Sequence, residues 1–152
     1  KASSLLCCCG GGGLSAGLAT ALHSLAKDIT LHTVEPEGFD DTARSLSLGE
    51  RVSNATEQGS ICDAIVTPTP GELTFPVLKR FAGPGFAVSD KAVLNAMKVA
   101  FDTLKLVIEP GGAVALAAAL DPATLPDDQE LVVVASGGNV DERVFQQALQ
   151  FG

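Results

Sequence analysis

The sequence predicts an α/β fold in three layers, a mostly parallel sheet with helices on both faces. Three features predict it. Short β-branched or apolar runs alternate with longer helical stretches from one end of the chain to the other. The run Leu131 to Ala135 (LVVVA) has no polar alternation, as in a strand covered on both faces. The Ala-rich stretch Gly112 to Leu120 is apolar nearly all round, as a buried helix is. At 152 residues, 46% hydrophobic and 18% charged, the chain is long and apolar enough for one domain with a real core.

The elements follow in order. Ser4 to Cys9 is an apolar run that stops at four glycines, a buried strand meeting a tight loop. Leu14 to Lys27 places Leu14, Leu18, Leu22 and Leu25 at helical spacing and closes on Lys27, which suits a helix C-terminus. Ile29 to Val34 alternates as a strand. Asp40 to Leu48 is a short helix stopped by Gly49, and residues 50 to 70 are a Ser-, Thr-, Gly- and Pro-rich loop. A helix from Gly71 to Phe81 must accommodate Pro76 by a kink or interruption. Phe86 to Val88 is a short strand, and Ser89 caps a long helix reaching about Leu106. After the helix 112–120 and the strand 131–135, a last helix spans Asp141 to Phe151.

Composition excludes several functions. The net charge of −8, with only 10 scattered Lys and Arg, repels a polyanion, so nucleic acid is not a partner. No apolar run reaches the roughly 20 residues of a membrane-spanning helix. The opening Lys1-Ala2-Ser3 has neither an initiator Met nor a leader, and is expected to be the start of a piece from inside a longer cytoplasmic protein. Cys7, Cys8, Cys9 and Cys62 contain no C-x-x-C pair and lie far from His32. They are expected to be buried thiols rather than zinc ligands or disulfides.

Gly10-Gly11-Gly12-Gly13 stands between a strand and a helix. Backbone N–H groups without neighbouring Cβ atoms converge there on an anion, aided by the positive end of the helix. This is a phosphate cradle, although an ordinary flexible turn has the same composition. Gly11-x-Gly13-x-x-Ala16, with Glu35 closing the next strand, also fits a dinucleotide fingerprint, so a nicotinamide- or flavin-binding oxidoreductase is one alternative. A non-catalytic ligand-binding module is another.

Four segments in order narrow the choice: Gly10-Gly11-Gly12-Gly13-Leu14, Glu35-Pro36-Glu37-Gly38-Phe39-Asp40-Asp41, Glu109-Pro110-Gly111-Gly112-Ala113, and Ser136-Gly137-Gly138-Asn139. Together they resemble the fold-type II pyridoxal-phosphate enzymes of the threonine/serine dehydratase and serine racemase branch. The resemblance implies the tryptophan synthase β-like fold and pyridoxal 5'-phosphate as cofactor. It places the phosphate on Gly10, Gly11, Gly12, Gly13 and the backbone of Leu14, and sets Ser136 against the pyridine nitrogen. A neutral hydroxyl there, unlike a carboxylate, does not hold that nitrogen protonated. The resemblance further implies Mg²⁺ or Ca²⁺ on Glu35, the carbonyl oxygen of Phe39, and Asp41, all hard oxygen ligands. Read without the resemblance, Asp40 and Asp41 simply favour the start of a helix. Where the family carries a glycine after Cys62-Asp63, this chain has Ala64. Glu109 falls near the cofactor in the family pattern.

The family's S-x-K-x-R-G segment, whose lysine anchors the cofactor, and its S-x-G-N substrate loop have no counterpart here. Lys1, Lys27, Lys79, Lys91, Lys98 and Lys105 lack that context, and Lys27, Lys91, Lys98 and Lys105 read as solvated helix positions. Residues 1–152 are therefore expected to form the C-terminal part of the large cofactor-binding domain, with no catalytic residue of their own and no activity alone. The parent enzyme implied is a lyase that converts L-threonine or L-serine to a 2-oxo acid and ammonia, or a related amino-acid racemase. It is expected to act on a small amino acid as a homo-oligomer, a dimer.

Overall fold

The computed structural model describes residues 2–124 and 130–151. Its strands are β1 (Ser4–Cys8), β2 (Thr30–Pro36), β3 (Phe86–Val88) and β4 (Leu131–Val133). Its α-helices are α1 (Gly13–Leu25), α2 (Asp41–Leu48), α3 (Thr74–Phe81), α4 (Asp90–Val99), α5 (Pro110–Leu120) and α6 (Glu142–Leu149). The sheet order is β3-β2-β1-β4 and every pairing is parallel, with Ser4 opposite both Thr30 and Leu131 and Val34 opposite Phe86. From β1 the chain steps outward through β2 to β3, then returns across the sheet to β4. Right-handed crossovers in opposite directions put α1, α2 and α3 on one face and α4 and α5 on the other. Accordingly α1 packs on α3, while α5 packs on β1, β2 and α4, and α6 on α4. These are the three layers expected from the sequence.

β1 lies in the middle of the sheet and all five of its residues are buried. Cys7, Cys8, Cys9 and Cys62 are thus buried free thiols, as expected. Burial pushes the thiols of Cys9 and Cys62 up to about 12, which keeps them protonated and inert.

Several elements differ from expectation for identifiable reasons. The α1 leucines do not form its buried stripe: Ser15, Ala16 and Ala19 do, while Leu25 is 87% exposed. Small residues let this helix approach the sheet closely and leave its leucines on the flanks. The helix also ends at Leu25, so Lys27 falls in the following turn. Pro76 causes no kink, because α3 begins at Thr74 and places it in the first turn, where an N–H has no intrahelical partner. The helix begun by Ser89, whose Oγ accepts from the N–H of Ala92, loosens into a π-helical turn at Ala100–Leu104 and stops at Lys105 with φ 58°. β4 is shorter than LVVVA and, among the described residues, is not covered on both faces. Among the described strands it borders the sheet with Val132 40% exposed, while Leu131, Val133 and Val134 of the apolar run pack against the core.

Candidate functional site

The reversal of strand order at β1 opens a crevice at the carboxyl ends of β1 and β4, where ligands bind in open α/β sheets. Both loops singled out in the sequence arrive there, Gly10 to Gly13 after β1 and Ser136 to Asn139 after β4.

The glycine loop has a geometry that could hold an anion. Gly12 is the N-cap of α1 with φ 84°, a left-handed conformation that only glycine adopts without strain. It is buried, and a Cβ there meets Thr74 and Leu78 at 2.9 to 3.1 Å. Gly11 and Gly13 face outward, and a Cβ on either meets nothing within 4 Å. The first α1 amide with an intrahelical partner is Ala16, bonded to Gly12 O at 2.8 Å, so the N–H groups of Gly13, Leu14 and Ser15 have no partner within the helix. The loop is also held from behind. Thr74 Oγ1 donates to Gly11 O at 2.6 Å, and the Gly71 amide donates to the same oxygen at 3.3 Å. Thr74 and Gly71 escaped the reading of the sequence, since neither carries a charge or a motif spacing. Open amides on a pinned, Cβ-free loop fit a phosphate.

Ser136 is placed by close packing. A Cβ on Gly112, in the first turn of α5, would overlap the Ser136 carbonyl oxygen, so only glycine permits this approach. The Ser136 hydroxyl lies 3.1 Å from Cys8 Sγ at the end of β1. Glu109 organises the rest of the loop: its Oε2 accepts from the Asn139 amide at 3.2 Å, and its own amide donates to Gly137 O at 3.2 Å. Gly137 has φ 70°.

A cleft of about 480 Å³ opens beside these loops, lined by Asp63, Ala64, Glu109 and Asn139 among others. The turn Asp63–Ile65 joins it to the glycine loop, because Ile65 packs behind Gly10 and Ala64 beside Gly111. Ala64 needs no left-handed backbone: among the described residues Lys105 is the only non-glycine with positive φ. The described lining contains no lysine. Lys79, Lys98 and Lys105 instead donate to the carbonyl oxygens of Gly49, Leu149 and Asp102, and Lys1 lies outside the described residues.

The acidic segment after β2 forms a second, separate cluster. Glu35 is 1% exposed, and its carboxylate oxygens accept from the amides of Thr42 at 2.9 Å and Ala43 at 2.8 Å, closing the start of α2. Burial pushes Glu35 up to about 8, against these two hydrogen bonds and with some repulsion from Asp41. Asp41 is 1% exposed, and burial raises its pKa too. Its Oδ1 accepts from Asn54 Nδ2 at 2.6 Å, while Oδ2 is buried without a hydrogen-bond partner. Phe39, in the turn between the two acids, is buried. Asn54 also donates to Thr67 O and receives the Arg44 guanidinium, which ties the long loop to this cluster. Nothing in the spacing of the sequence marked Asn54. Among the described residues no group of three or more His, Cys, Asp or Glu side chains forms a metal cage.

Comparison with known proteins agrees with this geometry. The family model described as pyridoxal-phosphate dependent enzyme matches residues 1–137. Serine racemase of Dictyostelium discoideum is 37% identical over 85% of this chain and 40% of its own length. L-threo-3-hydroxyaspartate ammonia-lyase of a Pseudomonas species is 33% identical over 91% of this chain and 43% of its own. The crystal structure of serine racemase from Dictyostelium discoideum superposes with a TM-score of 0.83 at 35% identity, covering 93% of this chain and 45% of that one. The processed form of threonine deaminase isoform 2 from Solanum lycopersicum gives 0.90 at 28% identity, over 99% and 44%. The chain thus spans 40 to 43% of the length of these two curated relatives. The dinucleotide reading of Gly11, Gly13 and Ala16 finds no support among these relatives. With a family model matching residues 1–137 and relatives 33 and 37% identical, the chain belongs to the family of pyridoxal-phosphate-dependent enzymes.

Proposed function

We propose that this chain is the cofactor-holding part of a pyridoxal-phosphate-dependent ammonia-lyase that converts L-threonine or L-serine to a 2-oxo acid and ammonia. The observation that carries the reading is the meeting of an open, pinned glycine loop and a placed serine hydroxyl at the carboxyl ends of two neighbouring strands. Gly10 to Gly13 and the Leu14 amide would bind the phosphate, with the helix dipole of α1 adding to the attraction. Ser136 would meet the ring nitrogen and orient the ring. When bound, pyridoxal phosphate supplies an electron sink for charge developing at the amino acid's Cα. The relatives named as serine racemase keep racemisation as the second activity to assay.

The lysine that anchors the cofactor and moves the α-proton, the small domain and the substrate-carboxylate loop belong, in this proposal, to the remainder of a longer protein. Four buried free thiols suit a reducing cytoplasm. No helix among the described residues is long and apolar enough to cross a membrane. The edge at β4, open among the described strands, would favour association of the isolated chain, and we assign the full-length enzyme to a homo-oligomer, a dimer. The decisive experiment assays the full-length protein with L-threonine and L-serine, following both the 2-oxo acid and D-serine. Formation of neither product sinks the proposal. Residues 1–152 alone should be inert, because they lack a base whose contribution is typically 10²–10⁴-fold. Turnover by the isolated chain above that of free cofactor would place the lysine within it.

A divalent cation, Mg²⁺ or Ca²⁺, forms the finer part of the proposal. Two adjacent buried carboxylates repel each other, and the unpartnered Asp41 Oδ2 is an oxygen such an ion would satisfy. Glu35, the Phe39 carbonyl and Asp41 would share it with water. Titration calorimetry on chelator-treated full-length protein should show Mg²⁺ or Ca²⁺ binding that Asp41→Asn weakens. If no heat appears, Glu35 serves only as the cap of α2.

A further inference from the structure

Cys8 is an unused thiol at the edge of the cofactor site. The Ser136 hydroxyl lies 3.1 Å from its sulfur, and either atom can be the donor. Both ends of this contact are held independently. Ser15, itself buried, donates from Oγ to the Cys8 carbonyl at 2.8 Å, and β1 pairs with β2 and β4 on its two sides. On the other side Gly112 sits so close to the Ser136 carbonyl that this backbone has no room to move inward. The backbones that carry the sulfur and the hydroxyl are therefore both held in place.

A serine side chain turns about a single bond, and a half-buried one with no partner samples several rotamers. A hydrogen bond to the buried Cys8 side chain selects one of them. The hydroxyl has one donor and two acceptor lone pairs, so when the Cys8 thiol donates to it, its own proton stays free for a second group. We propose that Cys8 is a positioning residue that holds the Ser136 hydroxyl in the orientation in which it meets the ring nitrogen of the bound cofactor. The inference rests on the assignment of Ser136 to that nitrogen, and its test separates the two.

The test uses the full-length protein and two ligands, pyridoxal phosphate and its analogue with C–H in place of the ring nitrogen, with affinities measured by equilibrium titration. Cys8→Val keeps the buried bulk and removes the hydrogen bond. It should lower affinity for pyridoxal phosphate by about 3–10-fold, the effect of one hydrogen bond, and leave the analogue unchanged. Cys8→Ser should restore the difference between the ligands, and Cys8→Val should have no further effect in a Ser136→Ala background. Cys8→Ala makes the same test if valine disturbs β1. If Ser136→Ala weakens pyridoxal phosphate selectively but neither Cys8→Val nor Cys8→Ala does, the positioning role is overturned and the Ser136 assignment stands. If Ser136→Ala treats both ligands alike, the assignment falls and the role of Cys8 falls with it.

Discussion

Two regions of this molecule share one local design and use it oppositely. After β1 the chain runs through Gly10 to Gly13 into α1, and after β2 it runs through Glu35 to Asp41 into α2. Each is a strand, a tight loop and a helix N-terminus at the same edge of the sheet. At α1 the first amides have no partner in the helix and the loop is bare of side chains. At α2 the buried carboxylate of Glu35 already occupies the amides of Thr42 and Ala43. A helix start attracts an anion in both cases, but only the uncapped one has amides left for a ligand. The protein supplies its own acceptor at one helix and leaves the first amides of the other open.

The contrast breaks most visibly at Gly12. Gly12→Val forces a β-branched residue to positive φ, costing about 1–2 kcal/mol, and drives it into Thr74 and Leu78, costing about 1–3 kcal/mol more. Affinity of the full-length protein for pyridoxal phosphate should fall roughly 100-fold by titration, and an unchanged value would remove the glycine loop from the site. Next in size is Glu35→Ala, which strips the cap from α2. Urea unfolding should show a loss of about 2 kcal/mol with phosphate affinity unaltered. A fall in phosphate affinity of similar size would mean that the two helix starts are coupled.

A smaller effect is expected at Thr74. Thr74→Val keeps the shape but removes the hydroxyl that holds Gly11 O, so stability should drop by about 1 kcal/mol, with a modest loss of cofactor affinity. The smallest change in stability belongs to Gly13→Ala, whose new methyl meets no protein atom within 4 Å. Unfolding should stay within about 0.5 kcal/mol of the parent while affinity for pyridoxal phosphate falls, because the methyl enters the anion's approach. Equal affinities before and after this change would show that the ligand does not lie on that side of the loop.

Much of this architecture is legible along the chain because it depends on local rules. Gly49 stops α2 with φ 77° and Ser89 caps α4, while α5 opens at Pro110, two residues before the Gly112 start expected from the sequence, at the position where the missing N–H costs nothing. The packing of α1 was not legible. Its leucines have the right period, yet the sheet selects the smaller Ser15, Ala16 and Ala19, since the distance between layers is a property of the assembled sheet. For the same reason LVVVA suggests an interior strand, while strand order puts β4 on the border among the described strands.

The site divides in the same way. Residue types in order along the chain were enough to find the glycine loop, the serine turn and the family, because backbone freedom and hydroxyl chemistry belong to those residues wherever they occur. Other features follow from packing: Thr74 and Gly71 brace Gly11, Glu35 spends its carboxylate on α2, and Cys8 faces Ser136 from 128 residues away. Such pairings arise when parallel crossovers bring distant strand ends side by side. No local spacing encodes them, because the partners meet only after the intervening helices have packed.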